Sequence, residues 1–131
     1  MQPRGIRNCN PLNIRRNPAN RWRGLRPVQA DSDFCQFTDM KWGLRAAVRL
    51  LENYIRRGAQ TPRQIIGRWA PPTENDTQNY VEHACQRAGL ERDEPVISWK
   101  SLRSLVQAMC WIESRYEPPV ELLEEAHRLA R

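Results

Sequence analysis

From residue 38 onward, apolar residues recur at three- and four-residue spacing, the period of an amphipathic helix, in segment after segment. Trp42, Ala46, Leu50 and Tyr54 fall on one face, flanked by Val48, Leu51 and Ile55, a stripe wide enough for a central buried helix. Thr38 or Asp39 supplies its cap, and Gly58 stops it after about Arg57. Thr61-Pro62 opens a short helix with Ile65, Ile66 and Trp69 on its apolar side, and Pro71-Pro72 ends it. Asp76 or Thr77 caps a further helix that runs to Ala88 and stops at Gly89. A helix from Ser98 carries Leu102, Leu105, Val106 and Met109 on one stripe. Pro118-Pro119 then starts a terminal helix, Val120 to Leu129, burying Leu122, Leu123, Ala126 and Leu129.

Before residue 38 the pattern changes. Gly5 to Arg16 is rich in Asn, Gly and Pro, which predicts turns with a short extended piece at Leu12 to Arg15. Apolar residues alternate in Asp33-Phe34-Cys35-Gln36-Phe37, the period of a strand. Two short strands joined by a loop predict a small β-hairpin. The expected fold is mainly α, one domain over 1–131, with that hairpin beside the helices.

One position breaks the helical pattern. After Leu102, Leu105, Val106 and Met109, the next place on the apolar stripe is Glu113. The negative end of the helix macrodipole and partial burial both disfavour an ionised carboxyl there, which is the profile of a general acid.

Charge and composition narrow the setting. The 131 residues carry a net charge of +6, and seven arginines (Arg4, Arg7, Arg15, Arg16, Arg21, Arg23, Arg26) precede the first acid, Asp31. An anionic polymer is the natural partner, either nucleic acid or bacterial wall material with its carboxylates and phosphates. No run of about eighteen apolar residues is present, so no membrane span is expected. Four cysteines, Cys9, Cys35, Cys85 and Cys110, form no CxxC pair and no zinc spacing with His83 and His127. No metal or other cofactor is expected. Cys85 and Cys110 read as buried hydrophobes, while Cys9 and Cys35 are open to pairing.

The words around these positions carry a resemblance. Glu113-Ser114-Arg115-Tyr116-Glu117-Pro118 resembles the ES-x-x-x-P signature of soluble lytic transglycosylases and goose-type lysozymes, in the lysozyme-like superfamily. Trp69-Ala70-Pro71-Pro72 followed by Glu74-Asn75-x-Thr77-x-x-Tyr80-Val81 resembles their P-E-T-x-x-Y-V word. Asn10-Pro11-x-Asn13-Ile14-Arg15 resembles the N-P-x-N-I-R words of phage-encoded members, and Gly43-x-Arg45-Ala46 with Leu50 and Tyr54 follows a packing pattern of the same families. In those families the glutamate helix comes first, whereas here it comes nearly last. The resemblance therefore implies a circular permutation, with the same helices packed in space and the chain opened before the Asn-rich segment.

The resemblance implies Glu113 and Tyr80 as catalytic residues, the phenol holding the carboxyl in its working rotamer. Glu74 is the second candidate acid, favoured for fixing a loop. The implied substrate contacts are Ser114, Asn10, Asn13, Trp22, Gln36 and Phe37. Asn10 and Asn13 read equally as turn formers, and Trp22 as a packing residue. The implied activity is cleavage of the β-1,4 bond between N-acetylmuramic acid and N-acetylglucosamine in peptidoglycan glycan strands. No convincing second carboxylate accompanies Glu113, Asp31 and Asp33 in the expected hairpin being options that the resemblance does not support, which favours a lytic transglycosylase with a 1,6-anhydro product over a hydrolytic muramidase. A non-catalytic wall-binding or virion module, and a small nucleic-acid-binding protein, are the other classes. No secretory signal is legible at the start. The expectation is synthesis in the cytoplasm and action at the periplasm or cell wall after delivery by a phage particle, lysis or a secretion machine, with a phage particle or an inhibitor protein as further partners.

Overall fold

The computed structural model describes residues 2–73 and 75–131. Among the described residues the architecture is mainly helical, with six helices: α1 (Arg4–Arg7), α2 (Met40–Arg56), α3 (Pro62–Trp69), α4 (Thr77–Ala88), α5 (Trp99–Ser114) and α6 (Val120–Leu129). The expected start signals act as caps. Asp39 accepts from Lys41 N–H, Asp76 from Asn79 N–H and Ser98 from Ser101 N–H. Thr61 and Gln64 close a full capping box, which satisfies two otherwise orphaned amides of the short α3. None of these helices is long and apolar enough to cross a membrane.

Helix α5 packs chiefly on α4, and α2 on α6. Leu102, Leu105, Val106 and Met109 are all buried, as their stripe predicts, and meet a core that includes Leu44, Val48, Leu51, Ile65, Ile66 and Leu123. Each such side chain contributes about 1.5–3 kcal/mol on leaving water. The buried face of α2 is turned from the expected one. Leu44, Ala47, Val48 and Leu51 are fully buried, while Leu50 and Tyr54 are half-buried and line a cleft. From α2, Arg45 and Arg49 donate to the carbonyls of Leu129 and Ala130, meeting the negative end of α6.

The β-hairpin does not form. Two isolated antiparallel bridges, Arg15 with Phe34 and Leu25 with Phe37, stand in its place among the described residues. The segment 34–37 is extended, with Cys35 and Phe37 buried as the alternation predicts, but its backbone is divided among several partners. Cys35 N–H donates to Ile14 O, Phe37 N–H to Asn8 O, and Gln36 O accepts from Arg26 N–H. Side chains take the remaining places. Gln29 Oε1 accepts from Gln36 N–H, and Gln36 Oε1 accepts from Ala30 N–H. Backbone groups satisfied this way leave no ladder to extend.

Residues 2–39 thus form an arm that folds against the helices, and two glycines permit its close approach. A Cβ on Gly5 would stand 1.9 Å from Ser114 Oγ, and one on Gly43 would stand 1.9 Å from the Cys9 carbonyl oxygen. Asp31 secures the arm's middle. Its carboxylate takes two bonds of 2.6 Å from the Arg4 guanidinium, one from Asn8, and the backbone N–H groups of Asp33 and Phe34. All four cysteines are free.

The Arg4 guanidinium and these amides hold the Asp31 carboxyl far below the usual carboxylate range. A depressed folded-state pKa stabilises the fold above the unfolded value and loses that stabilisation as the carboxylate protonates. Urea unfolding should therefore show stability falling as pH drops below about 4, and Asp31→Asn should flatten that acid limb while lowering stability at neutral pH. An unchanged acid limb in Asp31→Asn would contradict this role.

Candidate active site

Glu113 lies in the last turn of α5, which Arg115 terminates in the left-handed conformation (φ 52°), its N–H bonded to Trp111 O at 2.8 Å. The glutamate is half-buried and opens into a cleft of about 400 Å³. Three segments far apart in sequence donate to its carboxyl. Tyr80 OH, on α4, reaches Oε2 at 3.0 Å, and Trp69 Nε1, at the end of α3, reaches the same oxygen at 3.1 Å. Asn13 Nδ2, on the arm, bridges the Glu113 carbonyl at 3.2 Å and Oε1 at 3.4 Å.

Each donor is fixed by local structure. Thr77 donates its hydroxyl to the Ala70 carbonyl, tying the end of α3 to the start of α4 and bringing Trp69 and Tyr80 to one side. Burial, and then the negative charge of Glu113, push the Tyr80 phenol well above its ordinary range. It therefore remains a neutral O–H donor throughout physiological pH. Asn13 adopts the left-handed region (φ 56°), tolerated by asparagine, and its Oδ1 is buried without a partner among the described residues.

The remaining expected contacts are placed differently. Asn10 is fully buried, with Nδ2 donating to Ile14 O and Cys35 O and Oδ1 accepting from Ile14 N–H. Its donors and acceptor are spent on folding the arm, and it does not line the cleft. Ser114 is likewise buried and donates to Pro11 O at 2.8 Å, docking the arm beside Glu113. Phe37 has no exposed surface and belongs to the core. The Gln36 side chain donates to Asn8 Oδ1 and accepts from Ala30 N–H, and its backbone N–H donates to Gln29 Oε1. Trp22 packs against the core with its indole N–H buried. Of the expected substrate contacts, Asn13 alone lines the cleft. Glu74 lies outside the described residues.

Sequence reasoning placed Trp69 in the apolar side of α3 and missed its donor role. The available signal was the indole N–H itself, which requires a partner when buried, immediately before the word that contains Tyr80. The cleft is otherwise polar on the arm side, with Arg15, Arg16, Asn17 and Asn20, and apolar where α2 and α3 contribute Leu50, Tyr54 and Trp69. Glu113 is the one carboxyl that lines it among the described residues. Asp31 and Asp33 are occupied by Arg4. No cluster of three or more His, Cys, Asp or Glu able to hold a metal occurs among the described residues.

The cleft thus sets one carboxyl, bonded by three donors, in a groove with amides and guanidinium groups on one side and an aromatic and aliphatic surface on the other. No family model matches the chain. Protein P5 of Pseudoalteromonas phage PM2 is 33% identical to it over 118 residues, a match spanning 88% of this chain and 73% of that protein. The chain belongs to the family of this phage protein.

Proposed function

We propose that the chain is a peptidoglycan-cleaving enzyme of lysozyme-like, circularly permuted architecture, acting as a lytic transglycosylase on the bond between N-acetylmuramic acid and N-acetylglucosamine. The observation that carries the reading is the convergence of Tyr80 and Trp69 on Oε2 of a half-buried Glu113 at a cleft. With Oε2 occupied by two donors, Oε1 is the oxygen left to carry a proton to substrate. Glu113 gives that proton to the glycosidic oxygen as the bond from C1 breaks. The resulting carboxylate then takes the proton of the sugar's own 6-hydroxyl as O6 bonds to C1, which closes the 1,6-anhydro ring and restores the acid. Tyr80 and Trp69 steady the carboxylate between these two transfers.

Glu113 acting alone as acid and then base fits this route, in which the sugar's own 6-hydroxyl takes the place of the second carboxylate or water that hydrolytic geometries use. Asn13, Asn17, Asn20 and Asn75 supply amides suited to hydroxyl and acetamido groups, while Trp69 and Tyr54 supply faces for sugar rings. The relative is a phage protein, which supports a phage setting for the chain, and delivery to the wall by a phage particle is part of the proposal.

Mass spectrometry of purified sacculi digested by the wild-type chain tests the reaction type. Anhydro-muropeptides are expected; reducing-end products would assign a muramidase, and the absence of soluble products would remove the enzymatic reading in favour of a wall-binding or virion module. Tyr80→Phe removes one hydrogen bond to the working carboxyl and should lower kcat about 10- to 100-fold with KM little changed. A wild-type kcat in Tyr80→Phe would show that the phenol has no part in the chemistry.

A further inference from the structure

The cleft carries positive charge that proton transfer at Glu113 does not use. Most of the early arginines with a described partner are engaged elsewhere in the fold. Arg4 is held by Asp31 and Asp33, Arg26 donates to the carbonyls of Phe37 and Arg7, and Arg23 lies over the Trp42 ring. Arg15 and Arg16 instead line the cleft, and both are exposed. Neither forms an ion pair among the described residues. Arg16 Nη1 donates to the Asp31 carbonyl at 2.9 Å, which anchors one edge of its guanidinium. The Arg15 guanidinium lies 5.4 Å from the centre of the Phe34 ring, and Phe34 itself lines the cleft. Glu113, the one carboxyl described there, is already bonded to Trp69, Tyr80 and Asn13.

Two uncompensated guanidinium groups on one concave wall raise the local concentration of anions, and their planar forks match a carboxylate. We infer that Arg15 and Arg16 form a specificity subsite for a carboxylate carried by the polymer next to the scissile bond, selecting acidic wall strands over neutral polysaccharide. The inference rests on the wall-cleaving reading above. In peptidoglycan such a carboxylate belongs to the peptide stem or, where the stem has been removed, to the lactyl ether of the muramic acid, since the stem is joined through that carboxyl as an amide. Arg15 and Arg16 act in binding and make no bond to the reacting atoms, so their contribution falls on KM.

The test compares three substrates: native glycan strands, the same strands with their carboxyl groups converted to methylamides, and strands stripped of stems so that the lactyl carboxylates are free. Methylamidation should raise the wild-type KM about ten-fold, and Arg15→Gln should raise it similarly on native strands with no further loss on methylamidated ones. The Arg15 guanidinium has no hydrogen-bonded partner among the described residues, so this variant is the primary one; Arg16→Gln, which also frees the Asp31 carbonyl, is the second. On stem-bearing strands the lactyl carboxyl is already an amide, so the methylamidation effect there assigns a stem carboxylate; an Arg15→Gln effect on stripped strands shows that the subsite also accepts the freed lactyl carboxylate. Equal cleavage of native and methylamidated strands by the wild type, or an equal Arg15→Gln effect on both, would overturn the subsite. Should the wild type cleave none of them, the wall-cleaving reading fails separately, and co-sedimentation with native and methylamidated sacculi still decides the subsite. Binding weakened by methylamidation and by Arg15→Gln upholds it, and equal binding overturns it.

Discussion

A half-buried carboxyl at the end of a helix is costly unless donors surround it, and the fold is arranged around meeting that requirement for Glu113. The donors come from α3, α4 and the arm, all distant from Glu113 in sequence. Each is set by another interaction: Trp69 and Tyr80 by the Thr77 bond to Ala70, Asn13 by the turn that Asn10 closes and by the Ser114 bond to Pro11. Loss of any one tie would loosen the carboxyl without touching it.

This dependence explains why an arm with little regular structure is so heavily bonded. Asn10, Gln29, Gln36 and Asp31 replace the ladder of a sheet with side-chain bonds to backbone groups, and the Asn8 side chain links those of Asp31 and Gln36. Such bonding lets the chain turn sharply, and the arm thereby delivers Asn13, Arg15 and Arg16 together to one rim of the cleft. The helices supply the other surface, through the Leu50 and Tyr54 ridge of α2 and through Trp69. A polar, cationic rim facing aromatic and aliphatic side chains suits a charged saccharide polymer.

The helices were legible in the sequence because caps, glycine stops and apolar stripes all act locally, as Thr61-Pro62 and the Leu102 to Met109 stripe show. Glu113 was legible as the interruption of that stripe, and Tyr80 through the resemblance of its surrounding word. The arm was not. Alternation in residues 34–37 dictates extended backbone with Cys35 and Phe37 inward, but it does not name the partner, and glutamine side chains took the places a second strand would have filled. Asn10 and Ser114 were misplaced for a related reason: an amide or hydroxyl suits a buried carbonyl as well as a sugar. Trp69 was hidden by its own apolar bulk among Ile65 and Ile66.

The most direct test of the account is the rate at which dye-labelled sacculi are solubilised by the wild-type chain and by Glu113→Gln, which keeps the shape and the acceptor but cannot exchange a proton. A loss on the order of 10³ with unchanged thermal unfolding is the expected result. Equal rates would show that the carboxyl at the centre of this fold is structural and that the cleft owes its chemistry to another group.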